Sequence, residues 1–191
     1  MSERSEIDER REAVILSGAR TPVGRLMGAL AGLSAPQLGA VVVRTAVARA
    51  GINPDHIDEV ILGQVVQAGA GQAPARQAAI RAGLPPTVGA TTINKVCGSG
   101  LKSVMMAASA IRAGDGSLYV AGGMESMSQA PFLIPDMRAG NKYGHVQLLD
   151  ANVRDGLWCS FENWMMGEAG EHIAEAFEVT REQMDRYALE S

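Results

Sequence analysis

The sequence predicts an α/β fold, with a largely parallel or mixed sheet covered by helices on both faces. Three observations lead there. Short apolar runs alternate with stretches of helical period from residue 13 to about residue 121. The helical stretches close on glycines, and one opens on a capping sequence. Aromatic residues make up only 4% of a chain that holds 22 Gly and 10 Met, which fits a core of small, closely packed side chains.

Each element has its own warrant. Ala13–Ser17 is a short apolar run ending at a glycine and reads as a buried strand; Gly18–Gly24 follows as a loop. Ser34-Ala-Pro-Gln37 has the form of a capping box. The helix behind it is expected to place Leu38, Val41, Val42 and Ala46 on one face and to stop at Gly51. Val60–Leu62 is the second strand, and a Gly- and Ala-rich loop spans Gln67–Ala73. A short helix from Pro74 to about Ala82 ends before Gly83 and the Pro85-Pro86 pair. Thr91–Asn94 is the third strand. The next helix begins just after Cys97, carries a stripe of Leu101, Val104, Met105, Ala108 and Ile111, and stops at Gly114. Leu118–Ala121 is the fourth strand.

After Gly123 the character changes. Residues 124 to 156 show scattered Pro and Gly and little periodicity, too long a stretch for a plain connection, so an inserted substructure is expected. Helical pattern resumes near Met165–Phe177, and Thr180-Arg-Glu-Gln183 is a second capping box. The expected organisation is a leader over 1–12, an α/β domain over 13–123 and an inserted domain over 124–191. No stop signal precedes Ser191, so the chain reads as cut.

The bulk properties exclude several classes of function. A formal net charge of −4 disfavours nucleic acid as the main partner, since phosphate binding needs a basic surface. Apolar runs such as Ala40–Val43 fall far short of the roughly 20 residues needed to cross a bilayer. The opening MSERSEIDERRE is charged and lacks an apolar signal core, so the expectation is a disordered leader on a cytoplasmic protein. Cys97 and Cys159 form no Cys-x-x-Cys pair, and His56, His145 and His172 are scattered. Neither a disulfide framework nor a metal site is expected.

Cys97 sits where a strand turns abruptly into a helix, within Asn94-Lys-Val-Cys-Gly-Ser-Gly100. The nucleophile elbow of serine hydrolases uses the same geometry. Gly98 and Gly100 allow a sharp turn and leave room for a substrate carbonyl. The N–H groups of a helix start favour negative charge, as a thiolate or as an oxyanion. A thiolate also suits acyl exchange with another thiol, because one thioester is traded for another. A small buried hydrophobe at a strand end would show the same local pattern, and that alternative stays open here. Cys159, between Trp158 and Ser160 with no flanking Gly, reads as an inert packed thiol.

The string Asn94–Gly100 resembles the active-site segment of the thiolases, the family of acetyl-CoA acetyltransferases and 3-ketoacyl-CoA thiolases. So does Ala121-Gly-Gly-Met-Glu-Ser-Met-Ser128. Ala19–Gly24, Val60–Gln64, Gln72–Ala78, Asp155–Leu157 and Met166-Gly167 support the resemblance, which runs in order from about residue 13 to Ser191. It implies a thiolase-like layered fold: the N-terminal half of a duplicated architecture, with the start of an inserted loop domain. Cys97 would form the acyl-thioester intermediate, with its own backbone N–H in an oxyanion hole. Leu157 and Met166 would lie near the pantetheine end of a coenzyme A site, although ordinary packing also accounts for them. Phe132–Leu149 resembles the family's tetramerisation loop and implies a homo-oligomer, tetramer or dimer, for the complete protein. The implied partners are acyl-CoA and coenzyme A, with no cofactor beyond these thioester substrates.

The sequence departs from the family by absence. The Asn-Gly-Gly-Ala, Gly-His-Pro and Cys-x-Gly-Gly-Gly motifs of the second half do not occur, and none of the three histidines has the family's neighbourhood. Met165 stands where related enzymes often carry a His that lines the acyl pocket. Three readings result. The first is an acyl-CoA C-acyltransferase, closest to the acetyl-CoA C-acetyltransferase type. The second is a catalytically incomplete fragment of one. The third, disfavoured by both signature strings, is a condensing enzyme of β-ketoacyl synthase type.

Overall fold

Val60, Ile61 and Leu62 are all buried and form the centre of the sheet. The computed structural model describes residues 12–191. Strand β1 (Glu59–Gly63) lies between β2 (Gly89–Ile93) and β3 (Tyr119–Gly123), and both pairings are parallel. The sheet is therefore parallel throughout rather than mixed. Gly63 is level with Ile93 on one side and Gly123 on the other, so all three strands end together.

The remaining strand expectation is not met. Residues 13–17 form no regular element and pair with no strand among the described residues. Val14, Ile15 and Leu16 are instead 58–84% exposed. This segment is held by its polar groups: Ser17 Oγ donates to the Ala46 carbonyl at 2.7 Å, and Arg49 donates to the Gly18 carbonyl at 2.7 Å. An apolar run announces a preference for burial but does not name the strand that would satisfy its backbone. The expected leader lies outside the described residues, apart from Glu12.

Helix α1 (Ala35–Ala50) starts and stops where the sequence indicates. Gln37 Oε1 accepts the Ser34 N–H at 2.8 Å, and Gly51 closes the helix with φ +65°. Its buried face, however, is Pro36, Gly39, Ala40, Val43 and Val47, about one residue out of phase with the expected stripe; Val41 is exposed. Close packing explains the shift. A Cβ at Gly39 would stand 2.6 Å from the Met124 sulfur and 3.1 Å from Ala78 on helix α2 (Pro74–Ala82). Small residues therefore face the neighbouring helix and branched ones lie beside them. Val43, Val47, Val60, Leu62, Ala75, Ala78 and Ala79 form one core between these two helices and the sheet.

Side chains alternate along β1, so Ile61 and Gly63 face the opposite side. There helix α3 (Ser99–Ala113) packs on the sheet through small residues. A Cβ at Gly63 would meet Ser99 Cβ at 2.5 Å, and one at Gly123 would meet Gly100 Cα at 3.2 Å. Ser103, fully buried, donates to the Gly122 carbonyl at 2.8 Å. The predicted apolar stripe points away: Leu101 is 69% and Met105 is 53% exposed.

The chain divides into two compact units, the first ending at Phe132 and the second covering Leu133–Ser191. Residues past Met124 stay with the first because Ser126 donates to the Leu33 carbonyl and Ser128 Oγ accepts the Met27 N–H, both within 2.8 Å. A short ribbon pairs β4 (Phe132–Leu133) with β5 (Leu149–Asp150). The second unit continues through a π-helical stretch, Asn152–Leu157, to helices α4 (Met166–Ala176) and α5 (Arg181–Glu190). Helix α5 opens on the predicted capping box, with Thr180 and Gln183 bonded reciprocally at 2.8 and 3.3 Å. No described helix is long and apolar enough to cross a membrane.

Candidate active site

Parallel strands that end at one level send their following loops to one edge, the place where α/β sheets carry their sites. Here the loops after β1, β2 and β3 bring Gln64–Val66, Asn94–Gly98 and Met124–Glu125 to that edge. Cys97 belongs to the middle segment, four residues past Ile93 and two before the first residue of α3. It is exposed and unpaired with Cys159.

The turn that carries Cys97 is tightly specified. Asn94 Oδ1 accepts the Val96 N–H at 2.9 Å, while its Nδ2 reaches the Val65 carbonyl at 3.3 Å. Val96 has φ +47°, a conformation that a β-branched residue rarely adopts. Ser99, the first residue of α3 and buried, closes the turn from the other side. Its hydroxyl accepts the Lys95 N–H at 2.8 Å and donates to the Val96 carbonyl at 2.6 Å. Gly98, the N-cap, brings no side chain to the helix start.

Glu125 stands half-buried at the same edge. Burial pushes its carboxyl above the ordinary 4.5, while hydrogen bonds from the Val65 and Val66 N–H groups pull the other way. The Val65 bond is 2.8 Å; the second carboxylate oxygen, Oε1, is buried without a hydrogen-bond partner. Gln64, also buried, donates through Nε2 to the Val66 carbonyl at 3.0 Å and leaves its own oxygen unpartnered. Neither residue stands out individually in the sequence, although both lie within strings that carry the family resemblance. The available signal was polarity just after glycine-ended strands: an amide directly after β1 and an acid two residues after β3.

Leu157 and Met166 lie in the second unit. Trp158 and Met165 form an isolated antiparallel bridge, with Leu157 ending the π-helical stretch before it and Met166 opening α4 after it. Leu157 is partly buried and Met166 is 41% exposed. Cys159 lies in the same turn, half-buried, with its N–H bonded to the Trp164 carbonyl at 2.8 Å. Its sulfur accepts the Glu162 N–H at 3.4 Å.

Comparison with known proteins gives this geometry a family. The model for "Thiolase, N-terminal domain" matches residues 13–191. An acetyl-CoA acetyltransferase of Cupriavidus necator is 53% identical over 94% of this chain and 46% of its own length. One from Pseudomonas aeruginosa is 50% identical over 95% of this chain and 46% of its own. Acetyl-CoA acetyltransferase 2 of Arabidopsis thaliana is 46% identical over 100% of this chain and 47% of its own. The chain thus spans a little under half the length of these relatives. Its match to the domain family covers every residue from Ala13 onward, and the chain belongs to the thiolases, of which it holds the N-terminal domain.

Proposed function

We propose that this chain is the nucleophile-bearing part of an acyl-CoA C-acyltransferase of thiolase type, acting on 3-oxoacyl-CoA by reversible Claisen condensation and thiolysis. One observation carries the reading: Cys97 lies exposed on a strand-to-helix turn within the string Asn94–Gly100, in a chain whose relatives are named acetyl-CoA acetyltransferases. The Cys97 thiolate attacks the thioester carbonyl carbon, and its oxygen takes the negative charge beside the start of α3. The carbonyl re-forms as the C–S bond to coenzyme A breaks. The acyl group is left on Cys97 and the coenzyme A thiolate departs. In condensation, the α-carbon of a second thioester gives up a proton to a base, attacks the acyl carbon and displaces the Cys97 thiolate; in thiolysis, Cys97 instead attacks the 3-oxo carbon. The C2–C3 bond then breaks, the departing acyl-CoA enolate takes up a proton, and a coenzyme A thiolate lifts the remaining acyl group from Cys97. Neither direction calls for a metal or a redox cofactor.

Leu157 and Met166 enter the same reading as an apolar pair for the pantetheine arm, supported by their places on either side of the Trp158–Met165 bridge. The exposed segment Phe132–Leu149 supports a homo-oligomeric complete protein. A cytoplasmic setting belongs to the same reading.

A second reading rests on the length relation. The proton transfers of the full cycle need acid–base groups, each worth about 10²–10⁴-fold, and the relatives are more than twice as long as this chain. By this reading the chain takes up an acyl group but does not turn over. Incubation with acetyl-CoA, followed by digestion and mass spectrometry, tests both. Acylation confined to Cys97, absent in Cys97→Ala, with no sustained release of coenzyme A, is the expected outcome. Acylation of Cys159 alone would sink the nucleophile assignment. Sustained turnover that Cys97→Ala abolishes would sink the incomplete-cycle reading.

A further inference from the structure

Three contacts at the edge of the sheet form one continuous path. Glu125, two residues past β3, accepts the Val65 N–H at 2.8 Å. The carbonyl of Val65, two residues past β1, accepts Asn94 Nδ2 at 3.3 Å. Asn94, directly after β2, accepts the Val96 N–H at 2.9 Å through its other side-chain atom. Each strand of the sheet contributes one link, and the path ends on the residue that precedes Cys97.

That last residue is the one that needs holding. Val96 at φ +47° lies in the left-handed region, where a β-branched side chain crowds its own backbone. Such a conformation persists only where its surroundings over-determine it. Ser99 supplies one restraint, through the Val96 carbonyl. Asn94 supplies the other, through the N–H, and is itself exposed; its orientation depends on the Val65 carbonyl. Val65 is pinned in turn by a half-buried carboxylate whose other oxygen has no partner that would draw it elsewhere.

We infer that Glu125 is a positioning residue for Cys97: through Val65 and Asn94 it holds Val96 in the left-handed conformation that presents the thiol at the start of α3. This deepens the reading of Cys97 as nucleophile and rests on it. If the path slackens, Val96 relaxes toward negative φ and the sulfur leaves the helix end. The thiol is then no longer presented beside the N–H groups that open α3 when an electrophile arrives.

The test is competitive alkylation of the 191-residue chain with dilute iodoacetamide, with rates at Cys97 and Cys159 read separately by peptide mapping. In the parent chain Cys97 labels first. Glu125→Ala, which removes the acceptor, slows Cys97 by about ten-fold, the effect of losing one hydrogen bond to a charged group, and leaves Cys159 unchanged. Glu125→Gln keeps an acceptor and stays within about three-fold of the parent. Val96→Gly adopts positive φ without steric penalty, so in that background Glu125→Ala loses its effect. Should Glu125→Ala fail to fold, Asn94→Ala on the exposed turn probes the same path and is rescued by the same glycine. An unchanged Cys97 rate, equal slowing of both thiols, or slowing that Val96→Gly does not rescue overturns the positioning role. Preferential labelling of Cys159 in the parent chain is a separate result, and it removes the nucleophile reading itself.

Discussion

At Glu125 two influences oppose each other, and their balance makes a pH prediction. Burial raises the carboxyl above 4.5, outweighing the hydrogen bonds from Val65 and Val66. A raised acid binds its proton more tightly in the folded chain than in the unfolded one. Its contribution to stability is therefore present at low pH. It declines as pH rises through 4.5 and on through the folded value, then levels off. Glu125→Gln cannot lose a proton, so the variant should gain on the parent chain over that window. Urea denaturation at a series of pH values measures this; a difference that stays flat or runs the other way would show that burial does not dominate. Cys97 was legible as a candidate because cysteine between a strand and glycines is chemically conspicuous. The roles of Asn94, Val65 and Glu125 were not, because their meaning lies in contacts between segments up to 60 residues apart.

Elements were legible where local chemistry writes their ends. Ser34 with Gln37, Thr180 with Gln183, and the glycines 51, 83 and 114 mark caps that the structure reproduces. The faces of those elements were less legible, since which side is buried depends on the partner. Helix α1 turns its small residues toward α2 and Met124, and no pattern within α1 announces that approach. The contact between β1 and α3 is closer still and makes a sharp prediction. Gly63→Ala would force a Cβ to 2.5 Å from Ser99 Cβ and 2.6 Å from its backbone carbon, so the start of α3 must move. Overpacking of this kind costs about 1–3 kcal/mol, and the displaced helix start should slow Cys97 labelling as well. Gly122→Ala is the control: its Cβ would meet only Leu62, at 3.9 Å, and should change stability by under about 0.5 kcal/mol. Equal melting of the two variants would refute the close-approach argument.

For the first unit taken whole, the α/β class was legible from alternation, whereas the absence of a strand at Ala13–Ser17 was not. The apolar surface left uncovered there and along Leu101 and Met105 lies beside a sheet whose two edges, β2 and β3, are open among the described residues. Apolar patches beside open strand edges favour association. The 191-residue chain should self-associate in sedimentation, and Leu101→Lys with Met105→Lys should shift it toward monomer; a concentration-independent monomer would count against this. The shared level at which the three strands end has a wider implication. At the opposite end of the sheet, Asp58 ties β1 to β3 by accepting the Ser117 and Leu118 N–H groups at 2.7 and 2.9 Å. One end of the sheet is therefore a fastening and the other a workbench. The tips of the three loops can change without touching the contacts of Asp58, so the two ends of the sheet can vary independently. The same separation lets a designer graft a new turn between Ile93 and Ser99 without redrawing the core.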